Sequence, residues 1–165
     1  MTSFATPAQQ PQKERPIDPT LESLSRFILR VLNEEVETYI QRHAGERDTH
    51  GHALVTRNGR GAPRTLHLDN GALSLRAPRV NDRRVSAEGR RARFVSTFLR
   101  PYVRRGNLLS KTLPEQYREA MAAGDFSRVL ATVSALTADA LAPESLVRLQ
   151  SFLQREHEAY SRFGR

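Results

Sequence analysis

From Leu21 onward the apolar residues Leu24, Phe27, Ile28, Val31, Leu32, Val36, Tyr39 and Ile40 recur at steps of three and four. That spacing is the period of an amphipathic helix. Asp18-Pro19 ahead of them reads as an N-cap followed by the first helical residue, and Gly45 after Ala44 reads as the stop. Glu34, Glu35 and Glu37 fall within this helix and read as its solvated face, with a dimer-forming helix as the alternative. The period changes from 3.6 to 2 between Arg64 and Arg79, where Leu66, Leu68, Leu73 and Leu75 alternate with polar residues around Asn70-Gly71. Asn-Gly between alternating apolar residues predicts a β-hairpin with a type I′ turn. With the turn at 70–71, Leu68 pairs with Leu73 and Leu66 with Leu75. His67 then lies across from Ser74 and Thr65 from Arg76, so the four leucines share one face. An isolated two-stranded hairpin is barely stable in water, so the flanking helices are expected to cover the leucines.

Residues 45–63 are polar and glycine-rich and read as a loop or short strand, with Asn58-Gly59 able to make a second tight turn. Residues 81–93 carry five arginines and little to bury, which predicts a mobile loop that orders on nucleic acid. From Phe94 the period is helical again. A short helix is expected to begin or break near Pro101, and Leu108–Ala123 follows with Pro114 limiting its regularity. Further helices are expected from about Asp125 to Ala135 and from Pro143 to Phe163. The fold class is therefore mostly α with a central β-hairpin, an α+β chain whose C-terminal helices resemble a helix-turn-helix. Four regions result: a disordered tail over 1–17, a long N-terminal helix over 18–45, a basic hairpin region with flanking loops over 46–93, and a helical region over 94–165.

Charge sharpens this picture. Residues 1–50 hold 6 Lys and Arg against 8 Asp and Glu; residues 51–118 hold 15 against 4; residues 119–165 hold 5 against 6. The whole excess of positive charge thus lies in the middle third, which suggests a polyanionic partner. Only Lys13 and Lys111 are lysines. Arginine forks bind phosphate in a bidentate way, although a GC-rich genome would also favour arginine over lysine.

Candidate chemistry is sparse. The chain has no cysteine, which excludes disulfides, thiolate metal sites and cysteine nucleophiles. His50 and His52 lie two apart in a loop, and nothing completes a ligand set around them. There is no phosphate-binding glycine loop, dinucleotide fingerprint or ordered Ser-His-Asp signature. Asp69, Asp82, Asp125 and Asp139 are scattered and read as turn, cap and loop residues, so no two-metal carboxylate site is expected. No apolar run is long enough to span a bilayer, and the N-terminus lacks the blocks of a signal peptide. A cytoplasmic chain without membrane contact is expected.

Arg57-Asn-Gly59, Arg64-Thr-Leu66 and Gly71-Ala-Leu-Ser-Leu-Arg-Ala-Pro-Arg79 resemble the N-terminal region of mutator-type bacterial insertion-sequence transposases. Phe94, Tyr102-Val-Arg-Arg105, Leu113, Tyr117, Gly124-Asp-Phe126 and Leu141-Ala-Pro-Glu-Ser-Leu-Val-Arg-Leu149 continue the resemblance, as does the opening-helix segment Asn33-Glu-Glu-Val36. It covers roughly residues 22–163. In that family this region binds the terminal inverted repeats of the element, and a following domain with an Asp-Asp-Glu triad holds two divalent metals. The resemblance therefore implies recognition of double-stranded DNA in transposition. Catalytic residues and cofactors would be absent from this chain, and divalent metal would belong to the missing catalytic domain. A full-length transposase or a second copy would be its protein partner. Binding of DNA or RNA in general, and a decayed remnant without function, are the alternatives. Ala120-Met-Ala-Ala123 departs from the family's Gly-x-Ser/Thr turn, and Ala142 replaces a serine. Two caps worth about 1 kcal/mol each would be lost, opening the way for the helices around 120–124 to merge.

Arg57, Arg60, Arg64, Arg76, Arg79, Arg83 and Arg84 are the candidate phosphate contacts, with Arg104 and Arg105 behind them. Ser145 and Arg148, in the first turns of the last helix, are the candidates to reach base edges if that helix enters the major groove.

Overall fold

The computed structural model describes residues 18–100 and 108–163. The expected tail over 1–17, the helix start at Pro101, and Arg104 and Arg105 fall outside the described residues.

Helix α1 spans Pro19–Arg42, about 36 Å at 1.5 Å per residue. Asp18 caps it as expected, its Oδ1 accepting from the Thr20 N–H at 2.9 Å. Four strands follow: β1 (Val55–Arg60), β2 (Arg64–Leu68), β3 (Gly71–Leu75) and β4 (Pro78–Asp82). Strand β2 pairs with β3 and β1 with β4, all antiparallel. The pairs are two halves of one long hairpin, interrupted at 61–63 on one side and 76–77 on the other. The loop 45–63 is thus partly strand, and Asn58-Gly59 is not a second tight turn. It sits where the β1–β4 register shifts between Arg57 and Arg60, with Gly59 at φ 61°.

The hairpin tip lies one residue earlier than Asn-Gly chemistry predicts. Leu68 pairs with Gly71, His67 with Ala72, Leu66 with Leu73 and Thr65 with Ser74. Asp69 and Asn70 form the loop without positive φ, and Gly71 takes φ 151°. The register is shifted by two residues, an even number, so the leucines keep a common face. Leu68, Leu73 and Leu75 are buried in the same core as Leu24, Phe27, Ile28 and Val31 of α1. The ribbon lies along α1: Gly71 is against Leu21 near the helix start, and Asp82 meets Tyr39 near its end.

Residues 108–112 form a π-helical turn that leads into α2 (Leu113–Ala123), followed by α3 (Ser127–Thr137), a 3₁₀ turn (Ala138–Ala140) and α4 (Pro143–Phe163). The turn holds the ribbon tip through Asp69 N–H on the Ser110 carbonyl at 2.8 Å. Tyr117, Val129, Val133, Leu149 and Leu153 close the core from this side, and Phe27 lies against the Tyr117 ring at a centroid distance of 5.4 Å. Among the described residues no helix is long and apolar enough to cross a membrane.

Two expectations need correction. Glu34 and Glu35 are buried, not solvated. Glu35 reaches the segment before α2, where its carboxylate accepts from the Ser96 hydroxyl and from the Thr97 and Phe98 N–H groups at 3.0 Å. Burial pushes its carboxyl above the usual range, against the pull of those bonds. The second concerns residues 81–93, which are built into the ribbon base: Asn81 and Asp82 end β4, and Val85 bridges to Arg91.

Helices α2 and α3 do not merge. Gly124 ends α2 in the left-handed region at φ 76°, its N–H bonded to the Ala120 carbonyl. Asp125 then accepts from the Ser127 N–H at 3.0 Å. His157 of α4 packs over the glycine, and its Nδ1 donates to the Met121 carbonyl at 2.7 Å. A Cβ on Gly124 would stand 2.9 Å from His157 Nε2. Gly124→Ala is therefore expected to cost about 1–3 kcal/mol through backbone strain and displacement of the imidazole. Gly45, with open space where a Cβ would go, is the control, and Gly45→Ala should stay within about 0.5 kcal/mol in urea unfolding.

Candidate nucleic-acid interface

Because one side of the ribbon is sealed against α1, its arginines sort by which side chains they meet. Arg57 follows Val55 by two residues and is on the helix side, where it donates to Glu37 at 2.8 Å. Arg83 donates to Asp48 at 3.2 Å and to the Ala53 carbonyl at 3.0 Å. Arg84 is the most committed. It donates to both Asp82 oxygens, to the Tyr39 hydroxyl at 2.8 Å, and faces His43 Nδ1 at 3.0 Å. These three arginines, candidates for phosphate contact by sequence, are occupied in holding the ribbon base to α1 and the 46–54 loop.

Arg60, Arg64, Arg76 and Arg79 gather where the chain twice crosses between the two ribbon halves. All four are exposed. Arg60 stands opposite Pro78, and Arg64 opposite Leu75. The Gly61 N–H bonds to the Ala77 carbonyl at 2.8 Å, and Arg76 Nε donates to the Gly61 carbonyl at 3.2 Å. That leaves the two terminal nitrogens of Arg76 available. The Arg79 stem lies beside Gly61, its Cδ 3.6 Å from where a Cβ would be. Arg60, Arg64 and Arg79 have no side-chain partner among the described residues. Neither do Arg90, Arg93 and Arg100, also exposed, which were not among the candidates. Local acid content is the signal that points to them: between residues 83 and 100 the only acid is Glu88.

The last helix offers less than its sequence promises. Ser145 is fully buried, its hydroxyl 3.4 Å from that of Thr38. It is sealed against α1 and cannot touch a base edge. Arg148 is exposed, but its guanidinium forks onto Glu34 at 2.8–3.1 Å. Burial alone would raise the Glu34 carboxyl, and the bonds from Arg148 and Ser145 outweigh it and lower it. Among the described residues no group of three or more His, Asp or Glu side chains could hold a metal ion.

No family model, curated protein or solved structure matches the chain.

Asp82 is the anchor of the ribbon base. Its burial would raise the carboxyl, but hydrogen bonds from Arg84, Tyr39 and the Arg84 backbone N–H hold it at about 2, against the ordinary 3.8. A depressed carboxyl contributes stability that is present above the unfolded value and is lost as pH falls through the folded one. The Asp82 contribution should therefore be complete above about pH 5 and be lost as the pH falls through about 2. Asp82→Asn is expected to lose roughly 2 kcal/mol or more at pH 7, because it also strands Arg84. In urea unfolding across pH 2–7 the variant should show a flatter acid limb than the parent chain.

Proposed function

We propose that this chain binds duplex DNA through the arginines at the ribbon kink. The transposase resemblance directs that reading to terminal inverted repeats, in the cytoplasm, with strand chemistry left to a catalytic domain that this chain does not supply. One observation carries the reading. The ribbon exposes Arg60, Arg64, Arg76 and Arg79 together, and between residues 49 and 81 the only acid is Asp69, at the tip. The core closes over Leu68, Leu73 and Leu75, whereas the kink where these four arginines lie is exposed, so the kink is where a polyanion can approach. Arg60, Arg64 and Arg79 are held in strands and Arg76 by its bond to the Gly61 carbonyl, so these guanidinium groups meet phosphates with less loss of conformational freedom than they would in a loose loop.

Binding of nucleic acid without sequence preference is the second reading. The burial of Ser145 and the tie between Arg148 and Glu34 favour it, because they remove the two base-edge candidates of α4.

A salt series separates these readings. Affinity for a duplex should fall linearly in log–log form with salt, and each of Arg60→Ala, Arg64→Ala, Arg76→Ala and Arg79→Ala should reduce the slope by about 1. Arg128→Ala, which removes an exposed partner of Glu119, should leave it unchanged. Tighter binding to the terminal repeats flanking the coding region than to scrambled duplex supports the first reading. Equal affinity supports the second, and no salt-dependent binding sinks both. Cleavage or strand transfer by the purified chain with Mg²⁺ would reject the non-catalytic assignment.

A further inference from the structure

The outward side of the distal ribbon half differs in chemistry from the kink. By strand alternation the leucines Leu66, Leu68, Leu73 and Leu75 take one side, and Thr65, His67, Ala72 and Ser74 take the other. Thr65 stands directly across from Ser74, and His67 from Ala72. All four are exposed. Thr65, His67 and Ser74 make no side-chain hydrogen bond with any described residue. The patch therefore holds two hydroxyls and an imidazole, groups that both donate and accept. Ala72 keeps the centre low enough for close approach. Among these paired positions there is no carboxylate to repel phosphate and no large apolar residue; Asp69 at the tip is the nearest acid in sequence.

A two-stranded ribbon with short polar side chains suits the major groove, which is about 12 Å wide and displays a distinct donor and acceptor pattern for each base pair. The competing elements are poorer readers. Ser145 of α4 is sealed and Arg148 is held by Glu34. The exposed positions of α3 include Ala131 and Ala135, which carry no polar group, and Arg128, which faces Glu119 at 3.3 Å. The ribbon also has its phosphate contacts in place: Arg60, Arg64, Arg76 and Arg79 lie at the kink, next along the chain from the patch. Phosphate contacts fix register and orientation, and base contacts then specify sequence.

We propose that Thr65, His67 and Ser74 on the outward side of the β2–β3 ribbon are the base-reading residues, seated in the major groove of duplex DNA. This rests on the duplex-binding reading above, and adds that sequence is read by the ribbon and not by the last helix.

The test is selection of bound molecules from a random 20-bp duplex library with the full chain, with the salt series run in parallel. The parent chain should enrich a motif and prefer it to scrambled duplex by on the order of tenfold or more. The triple variant Thr65→Ala, His67→Ala, Ser74→Ala changes only exposed side chains, so its thermal melt should match the parent. It should bind random duplex within about threefold of the parent with the same salt slope, and enrich no motif or a different one. Arg60→Ala with Arg79→Ala should do the reverse, binding more weakly while keeping the parent motif. If the triple variant enriches the parent motif unchanged, or if the parent binds duplex and enriches none, the ribbon is not the reader, while duplex binding stands. If the parent binds no duplex, the duplex-binding reading fails and takes this inference with it.

Discussion

A two-stranded ribbon has one hydrogen-bonded ladder and two faces, and in water it does not hold itself together. The structure depends on how that deficit is met. The leucines of β2 and β3 are buried with the apolar stripe of α1, and α2 and α4 close the same core. Each large aliphatic side chain buried in this way contributes about 1.5–3 kcal/mol. The leucine face holds the distal ribbon to the core, and the Asp82 cluster and the bond from the Asp69 N–H to the Ser110 carbonyl hold its base and tip. The leucine contact gives the ribbon a sidedness that its sequence carries only as alternation: one face belongs to the core, and the other is left to solvent.

Partners, more than ribbon side, then divide the arginines: Arg64 pairs with Leu75 on the leucine side yet stays exposed. Those that meet an acid of α1 or of the loop after it become structural: Arg57 with Glu37, Arg83 with Asp48, Arg84 with Asp82 and Tyr39. Asp82 is buried and so needs its guanidinium, since a buried charge without a partner is costly. Arg148 serves Glu34 in the same way on the far side of α1. Positive charge density in the chain is therefore not the same as available positive charge. Arg57 and Arg60 lie three residues apart, yet the first is tied to the helix and the second is free.

Much of the fold is legible in the sequence because it rests on local rules. Asp18-Pro19 starts α1, Pro143 to Phe163 bounds α4 as expected, and the alternation from Leu66 to Leu75 marks the hairpin and its buried side. The tip forms one residue earlier than Asn-Gly chemistry predicts, and there Gly71 approaches Leu21 closely, a tertiary contact that local turn chemistry does not carry. Glu34 and Glu35 looked solvated because a carboxylate in a helix usually is. Their burial follows from donors 61 to 114 residues away, Ser96 and Arg148 among them. Arg83 and Arg84 read as part of a mobile loop for the same reason: their partners Asp48 and Tyr39 lie 35 and 45 residues away. Ser145 lies in the first turns of α4 as expected, but which way that side of the helix turns is decided by packing against Thr38.

The balance between helix and ribbon as the surface for a nucleic acid follows from these long-range contacts. A helix reads a groove with the first turns that it leaves free, and here Ser145 and Arg148 in the first turns of α4 are spent on α1. The ribbon has the opposite arrangement, with its apolar side consumed and its polar side open. A side chain in a ladder is held in position by the pairing of its neighbours, whereas one in a loose loop must be ordered at the moment of binding, at a cost of about 1–2 kcal/mol per residue. Under the proposed reading, the contact that stabilises the fold and the contact that meets DNA are the two faces of one element. Weakening the leucine face would then loosen the arginines before any charge is removed.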